Sequence, residues 1–147
     1  MKILILGSGS FAGQATFSKL LKDGYEVYGI NRSKPKKEYM WNWVKGVDLN
    51  KRWHVLNICD DLAEFERTID EIKPTHIIDF LGQGMVAQSW IDPELWYQTN
   101  ISKKASLLEK IRKINNLEKY IRISTPEVYG SSKSYLDEKV DLFGYNI

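Results

Sequence analysis

The sequence predicts an α/β fold, a doubly wound parallel sheet of five strands in the order 3-2-1-4-5, and three observations predict it. Short apolar runs of strand length alternate with amphipathic stretches of helix length. The first run, Met1 to Leu6, breaks straight into Gly7-Ser8-Gly9-Ser10-Phe11-Ala12-Gly13, and helix-forming residues follow at once. At 147 residues the chain has the size of one domain, long enough to bury a core. Strands separated by helices imply right-handed parallel crossovers, with a ligand crevice at the carboxyl ends of the central strands.

The elements follow in order. β1 is read over Lys2–Leu6. A helix runs from about Ser10 to Lys22 and stops at Asp23-Gly24, with Lys19 and Lys22 in its last turn. β2 spans Glu26–Ile30, and an irregular stretch, 31–52, carries Tyr39, Trp41 and Trp43. β3 is read over Trp53–Ile58. Asp61 with Glu64 three residues on has the form of a capping box. Behind it Leu62, Phe65, Ile69 and Ile72 keep helical spacing until Lys73-Pro74. β4 is His76–Leu81, and Gly82-Gln83-Gly84 forms a loop at its carboxyl edge. Asp92-Pro93 starts a long helix with Ile101, Ala105, Leu108 and Ile111 on one face, ending near Asn115-Asn116. β5 is Tyr120–Ser124, and residues 131–147 show no strong period.

Composition is that of an ordinary globular protein: 43% hydrophobic, 27% charged, net charge +2. So even a balance argues against a nucleic-acid or membrane surface as the main partner. Lys34, Lys36, Lys37, Lys103 and Lys104 are read as solvated loop and helix faces. The one cysteine, Cys59, cannot form an internal disulfide, which fits a reducing, cytoplasmic setting. His54 and His76 each begin an apolar run without ligand-spaced partners, so no metal site is expected. No run approaches membrane-spanning length, and Ile3 to Leu6 is too short for a signal-peptide core.

The chemistry begins at the glycine turn. Small residues between a strand and a helix let backbone amides approach a pyrophosphate, and the helix dipole adds partial positive charge there. Gly7, Ser8, Gly9, Ser10, Phe11 and Gly13 are therefore candidate dinucleotide-binding residues, with Ser10 where a G-x-x-G-x-x-G fingerprint has its middle glycine. An acidic residue closing β2 would favour NAD by taking the ribose 2′-hydroxyl. Asn31-Arg32-Ser33 stands there instead, and Arg32 and Ser33 suit a 2′-phosphate, so NADP is favoured over NAD. Asn57 and Ile58 face the expected adenine region. Leu81, Gly82 and Gln83 complete the cofactor set beyond β4.

After β5 comes Ser124-Thr125-Pro126-Glu127-Val128-Tyr129-Gly130, which resembles an S-T-D-E-V-Y-G motif. With the glycine turn, Gly84-Met85-Val86-Ala87-Gln88-Ser89-Trp90 and Trp96-Tyr97-Gln98-Thr99-Asn100, it makes the chain similar to the extended short-chain dehydrogenase/reductases. Within them it resembles the NAD(P)-dependent nucleotide-sugar epimerases and 4,6-dehydratases of the dTDP-glucose and GDP-mannose kind. The resemblance implies a Rossmann domain over residues 1–130 and the start of an active-site segment over 131–147.

It also implies that Thr125 holds the sugar C4 oxygen, that Glu127 is the base at C5, and that Gly84, Ser89 and Glu127 meet the substrate, a nucleotide sugar. Asn100 is implied to be a structural helix residue. Pro126 replaces the acid that protonates the leaving C6 hydroxyl, and proline has no proton to give. Tyr129…Lys133 and Tyr135…Lys139 match the family's Tyr-x-x-x-Lys in spacing, yet both follow β5 too closely to stand on its helix. The resemblance places the true pair beyond Ile147, together with the sugar-nucleotide-binding half. Three readings follow: the cofactor-binding part of an epimerase/dehydratase, a non-catalytic NAD(P)-binding module on the same fold, or a reductase or epimerase that needs no acid at position 126. A β5 without an outer neighbour further predicts self-association, so a homo-oligomer is open.

Overall fold

All five strands run parallel in the order β3-β2-β1-β4-β5. This computed structural model describes residues 1–35, 47–130, 135 and 137, and only the backbone of Pro126 and Glu127. Tyr39, Trp41, Trp43, Lys133 and Lys139 lie outside the described residues. The strands are β1 Lys2–Leu6, β2 Glu26–Asn31, β3 Trp53–Val55, β4 His76–Asp79 and β5 Lys119–Arg122. Leu6 pairs with Ile30 on one side and Asp79 on the other, so the carboxyl ends of the three central strands are level. That level edge carries the glycine turn.

β1 shows why the fold is doubly wound. Leu4 and Leu6 point to a core shared with Phe65, Ile69, Leu107 and Ile111, while Ile3 and Ile5 pack with Phe17, Val27 and Trp53 on the opposite face. Alternate residues of one buried strand thus feed two cores, which is why it reads as a continuous apolar run. Each such side chain contributes about 1.5–3 kcal/mol on burial. The helices flanking the sheet are α1 Phe11–Lys22, α2 Leu62–Ile72, the short α3 Val86–Ser89, α4 Pro93–Tyr97 and α5 Lys103–Ile111.

Three expected strand ends need correction. β3 stops at Val55 rather than Ile58, because Asn57 turns the chain: its Oδ1 accepts from Cys59 N and its carbonyl from Asp60 N. β4 stops at Asp79 rather than Leu81, because Leu81 N folds back onto Asp79 Oδ1 at 2.8 Å. β5 begins one residue early and ends at Arg122 rather than Ser124.

The long helix is also not uniform. A π-helical turn, Gln98–Ser102, joins α4 to α5, and α5 ends at Ile111. Thr99, Lys104, Leu107 and Ile111 are the buried residues of this segment, whereas Ile101 is 58% exposed and Leu108 41%. Of the expected face 101–105–108–111 only Ile111 reaches the core, as part of the stripe 104–107–111, which has the same helical spacing. Lysine at position 104 disguised the stripe that faces the core.

Candidate functional site

The turn after β1 is held by contacts that only its own residues permit. Gly7 has φ +71°, and a Cβ there would lie 3.0 Å from the backbone of Phe80 and Leu81. Its N–H donates to Ile30 O at 2.9 Å, tying the turn to β2. Ser10 caps α1: its Oγ accepts from Gly13 N at 3.1 Å and its carbonyl from Gln14 N at 2.9 Å. A Cβ at Gly13 would collide with Gly7 O. The first-turn N–H groups of Phe11 and Ala12 have no partner within the helix. With the helix dipole they form an anion-binding end.

A cleft of about 260 Å³ lies over this end, bounded by Gly7, Gly9 and Ser10, by 30–33, 56–58 and 80–83, and by Thr99. Among the described residues Arg32 is the one charged side chain that lines it, and none of them contributes a carboxylate. Asn31 Nδ2 donates to Ser33 Oγ at 2.9 Å and to Ser33 O at 3.2 Å. Ser33 therefore accepts from Asn31 and keeps its own hydroxyl proton for a ligand. On the other wall Asn57 Oδ1 is engaged by Cys59 N at 3.2 Å, which leaves Nδ2 and one lone pair for an incoming base.

Of the residues singled out from sequence, the structure brings Gly7, Gly9, Ser10, Asn31, Arg32, Ser33, Asn57, Ile58, Leu81, Gly82 and Gln83 to this cleft. Others stand apart from it. Ser8 is fully buried with an unpaired Oγ, set behind the turn where a Cβ on Gly29 would strike it. Gly13 supports the turn from the helix side, and Phe11 is 89% exposed. Gly84 is open to solvent. Ser89 donates to Val86 O at 2.6 Å and lines a separate aromatic hollow of about 350 Å³ with Trp90, Trp96 and Tyr97. Thr125 is exposed after β5, its carbonyl accepting from Val128 N, and Glu127 lies in the 3₁₀ turn Pro126–Tyr129.

Sequence reasoning named Asn100 as a structural helix residue but missed what it and the Asp79 network hold, the β4 loop. Asn100, on the π turn, clasps Gln83 from both ends: Oδ1 accepts from Gln83 N at 2.8 Å and Nδ2 donates to Gln83 O at 2.9 Å. Such π turns recur at functional sites. Two residues earlier a charged network does the same for Leu81. Asp79, 0% exposed, takes Leu81 N on Oδ1 and receives Lys104 Nζ (2.5 Å), Tyr120 OH (2.6 Å) and Arg122 Nη1 (3.1 Å) on Oδ2. Burial pulls the Lys104 amine below its ordinary pKa while Asp79 pushes it back up. Burial and Asp79 together hold the Tyr120 phenol well above its ordinary value. The available signal was an aspartate closing the otherwise apolar run Ile77-Ile78-Asp79.

The family model for GDP-mannose 4,6 dehydratase matches residues 4–143. The chain belongs to that family. Its relatives include a dTDP-glucose 4,6-dehydratase of Salmonella typhimurium, 29% identical over 143 residues, covering 88% of this chain and 38% of the relative. A GDP-mannose 4,6-dehydratase of Vibrio cholerae is 28% identical over 134 residues, covering 86% and 36%. Among solved structures, UDP-glucose 4-epimerase from Bifidobacterium longum, in complex with NAD+ and UDP, superposes with TM-score 0.80 at 26% identity, over 98% of this chain and 43% of that one. The Thermus thermophilus epimerase complexed with NAD gives 0.76 at 28% identity, over 95% and 43%. The chain thus spans about two-fifths of the length of the relatives it matches.

Proposed function

We propose that this chain is the dinucleotide-binding part of a nucleotide-sugar epimerase/dehydratase and that it takes NADP in preference to NAD. One observation carries the preference: among the described residues the guanidinium of Arg32 is the single charged group lining the cleft, and no carboxylate among them stands to claim a ribose 2′-hydroxyl. Arg32 and the free hydroxyl proton of Ser33 suit a 2′-phosphate, Phe11 and Ala12 N–H the pyrophosphate, and Asn57 with Ile58 the adenine. Titration of the protein with NADP and NAD tests this. Arg32→Ala is expected to weaken NADP by roughly tenfold, the scale of one charge-assisted contact, and to leave NAD almost unchanged. Equal loss for both would overturn the preference.

For the whole protein the reading is oxidation of a nucleotide sugar at C4. The bound nicotinamide supplies the hydride acceptor there and later the donor. Thr125 would hold the C4 oxygen through its hydroxyl, and the Glu127 carboxylate would take the C5 proton. Where an acid must give a proton to a leaving C6 hydroxyl, Pro126 has none, so loss of water requires an acid from outside this motif. The same substitution favours the second reading, a non-catalytic NAD(P)-binding module. Incubation of the whole protein, rather than of this 147-residue part alone, with sugar nucleotides separates the two, since only the first yields an altered sugar.

A further inference from the structure

We infer that the Asp79–Lys104–Arg122 network is a positioning device for the dinucleotide, setting the β4 loop that receives its second half. The inference rests on the dinucleotide reading above and deepens it. It starts from Leu81, both of whose backbone polar groups are taken by the network. Leu81 N donates to Asp79 Oδ1 at 2.8 Å, and Leu81 O accepts from Lys104 Nζ at 3.0 Å and from Arg122 Nη1 at 2.7 Å. Leu81 lines the cleft, and the next residue, Gly82, lies between Asn100 Oδ1 and Arg122, 3.2 Å and 3.8 Å from where its Cβ would stand. The wall of the cleft is therefore fixed residue by residue from three elements: β4, α5 and β5.

The arrangement is more than a means of burying charge. A buried lysine requires one anion, and Asp79 supplies it. Here two cations converge on one carboxylate oxygen and then on the same carbonyl, one strand end further on. Lys104 is 5% exposed, whereas the Arg122 side chain is 37% exposed and so gains little from burial. What Arg122 adds is a second, charge-assisted hold on Leu81.

In this topology a dinucleotide crosses β1 at the switch point. Its adenosine end lies over the ends of β2 and β3, where Arg32 and Asn57 are, and its other end over β4. A device acting on the β4 loop acts on one half of the ligand alone.

That asymmetry gives the test. ADP and NADP are titrated against wild type, Arg122→Met, Arg122→Lys and Lys104→Met, with thermal melting of each. Arg122→Met is expected to weaken NADP about tenfold and to change ADP less than twofold, at a melting temperature close to wild type. Arg122→Lys, which keeps a cationic donor, is expected to restore NADP binding. Lys104→Met is expected to act in the same direction as Arg122→Met, and if it fails to fold the Arg122 pair decides alone. Equal weakening of ADP and NADP, or no weakening of either, overturns the positioning role. Wild type that binds neither ligand overturns the dinucleotide reading, and this one with it.

Discussion

His54 shows how a single side chain ties stability to pH. Its Nε2 is buried without a hydrogen-bond partner, and its ring stacks on Tyr28 at 6.5 Å between centroids. Burial holds the imidazole below its ordinary pKa of 6.5, with Glu71 pulling weakly the other way. The folded state therefore prefers the neutral ring, and the unfolded chain binds the proton more readily. This contribution is fully present above the unfolded pKa and is lost as pH falls through the depressed folded value. Melting temperature is expected to drop between about pH 7 and about pH 5, and His54→Phe to flatten that slope. An unchanged slope in the variant, followed by circular dichroism, would remove His54 as the cause. At this scale the glycine turn was legible in sequence because its residue types have few other uses. The unpaired histidine nitrogen and the buried Lys104 were not, since both depend on what the fold brings beside them.

α2 shows the same limit at the scale of the element. Its start was legible: Asp61 Oδ1 accepts from Glu64 N at 2.9 Å, and Phe65, Ile69 and Ile72 are buried as their spacing requires. Its end holds a conformation no pattern announces. Lys73 closes the helix at φ 52°, ψ 58°, the left-handed region that costs a non-glycine residue roughly 1–2 kcal/mol. Lys73→Gly is expected to stabilise the protein by about 0.5–1 kcal/mol, part of the relief being offset by the greater freedom of glycine in the unfolded chain. Urea denaturation measures it, and a lowered midpoint would contradict it. The segment 93–111 is the opposite case, its position legible but its buried face misread. Two apolar stripes of equal period competed, and the correct one contains a lysine whose partner, Asp79, lies 25 residues away in sequence.

For the whole molecule the strand order could be read because parallel strands joined by helical crossovers admit few topologies. Closure of the sheet's outer face is a different matter. Among the described residues β5 pairs only with β4, and Ile121 and Ile123 beside its free edge are 38% and 45% exposed. On the opposite face of β5, Ala105, Leu108, Ile114, Leu117 and Tyr120, with Glu109 and Arg112, line an open trough beside α5. An unpaired edge with apolar side chains is a template for another chain, and the adjoining trough supplies area to bury. The 147-residue chain is therefore expected to self-associate in a concentration-dependent way, detected by light scattering. Ile121→Lys, which puts a charge beside that edge, is expected to shift it toward monomer while leaving ADP binding intact. A wild-type chain that stays monomeric across the concentration series would show that the β5 edge is already protected.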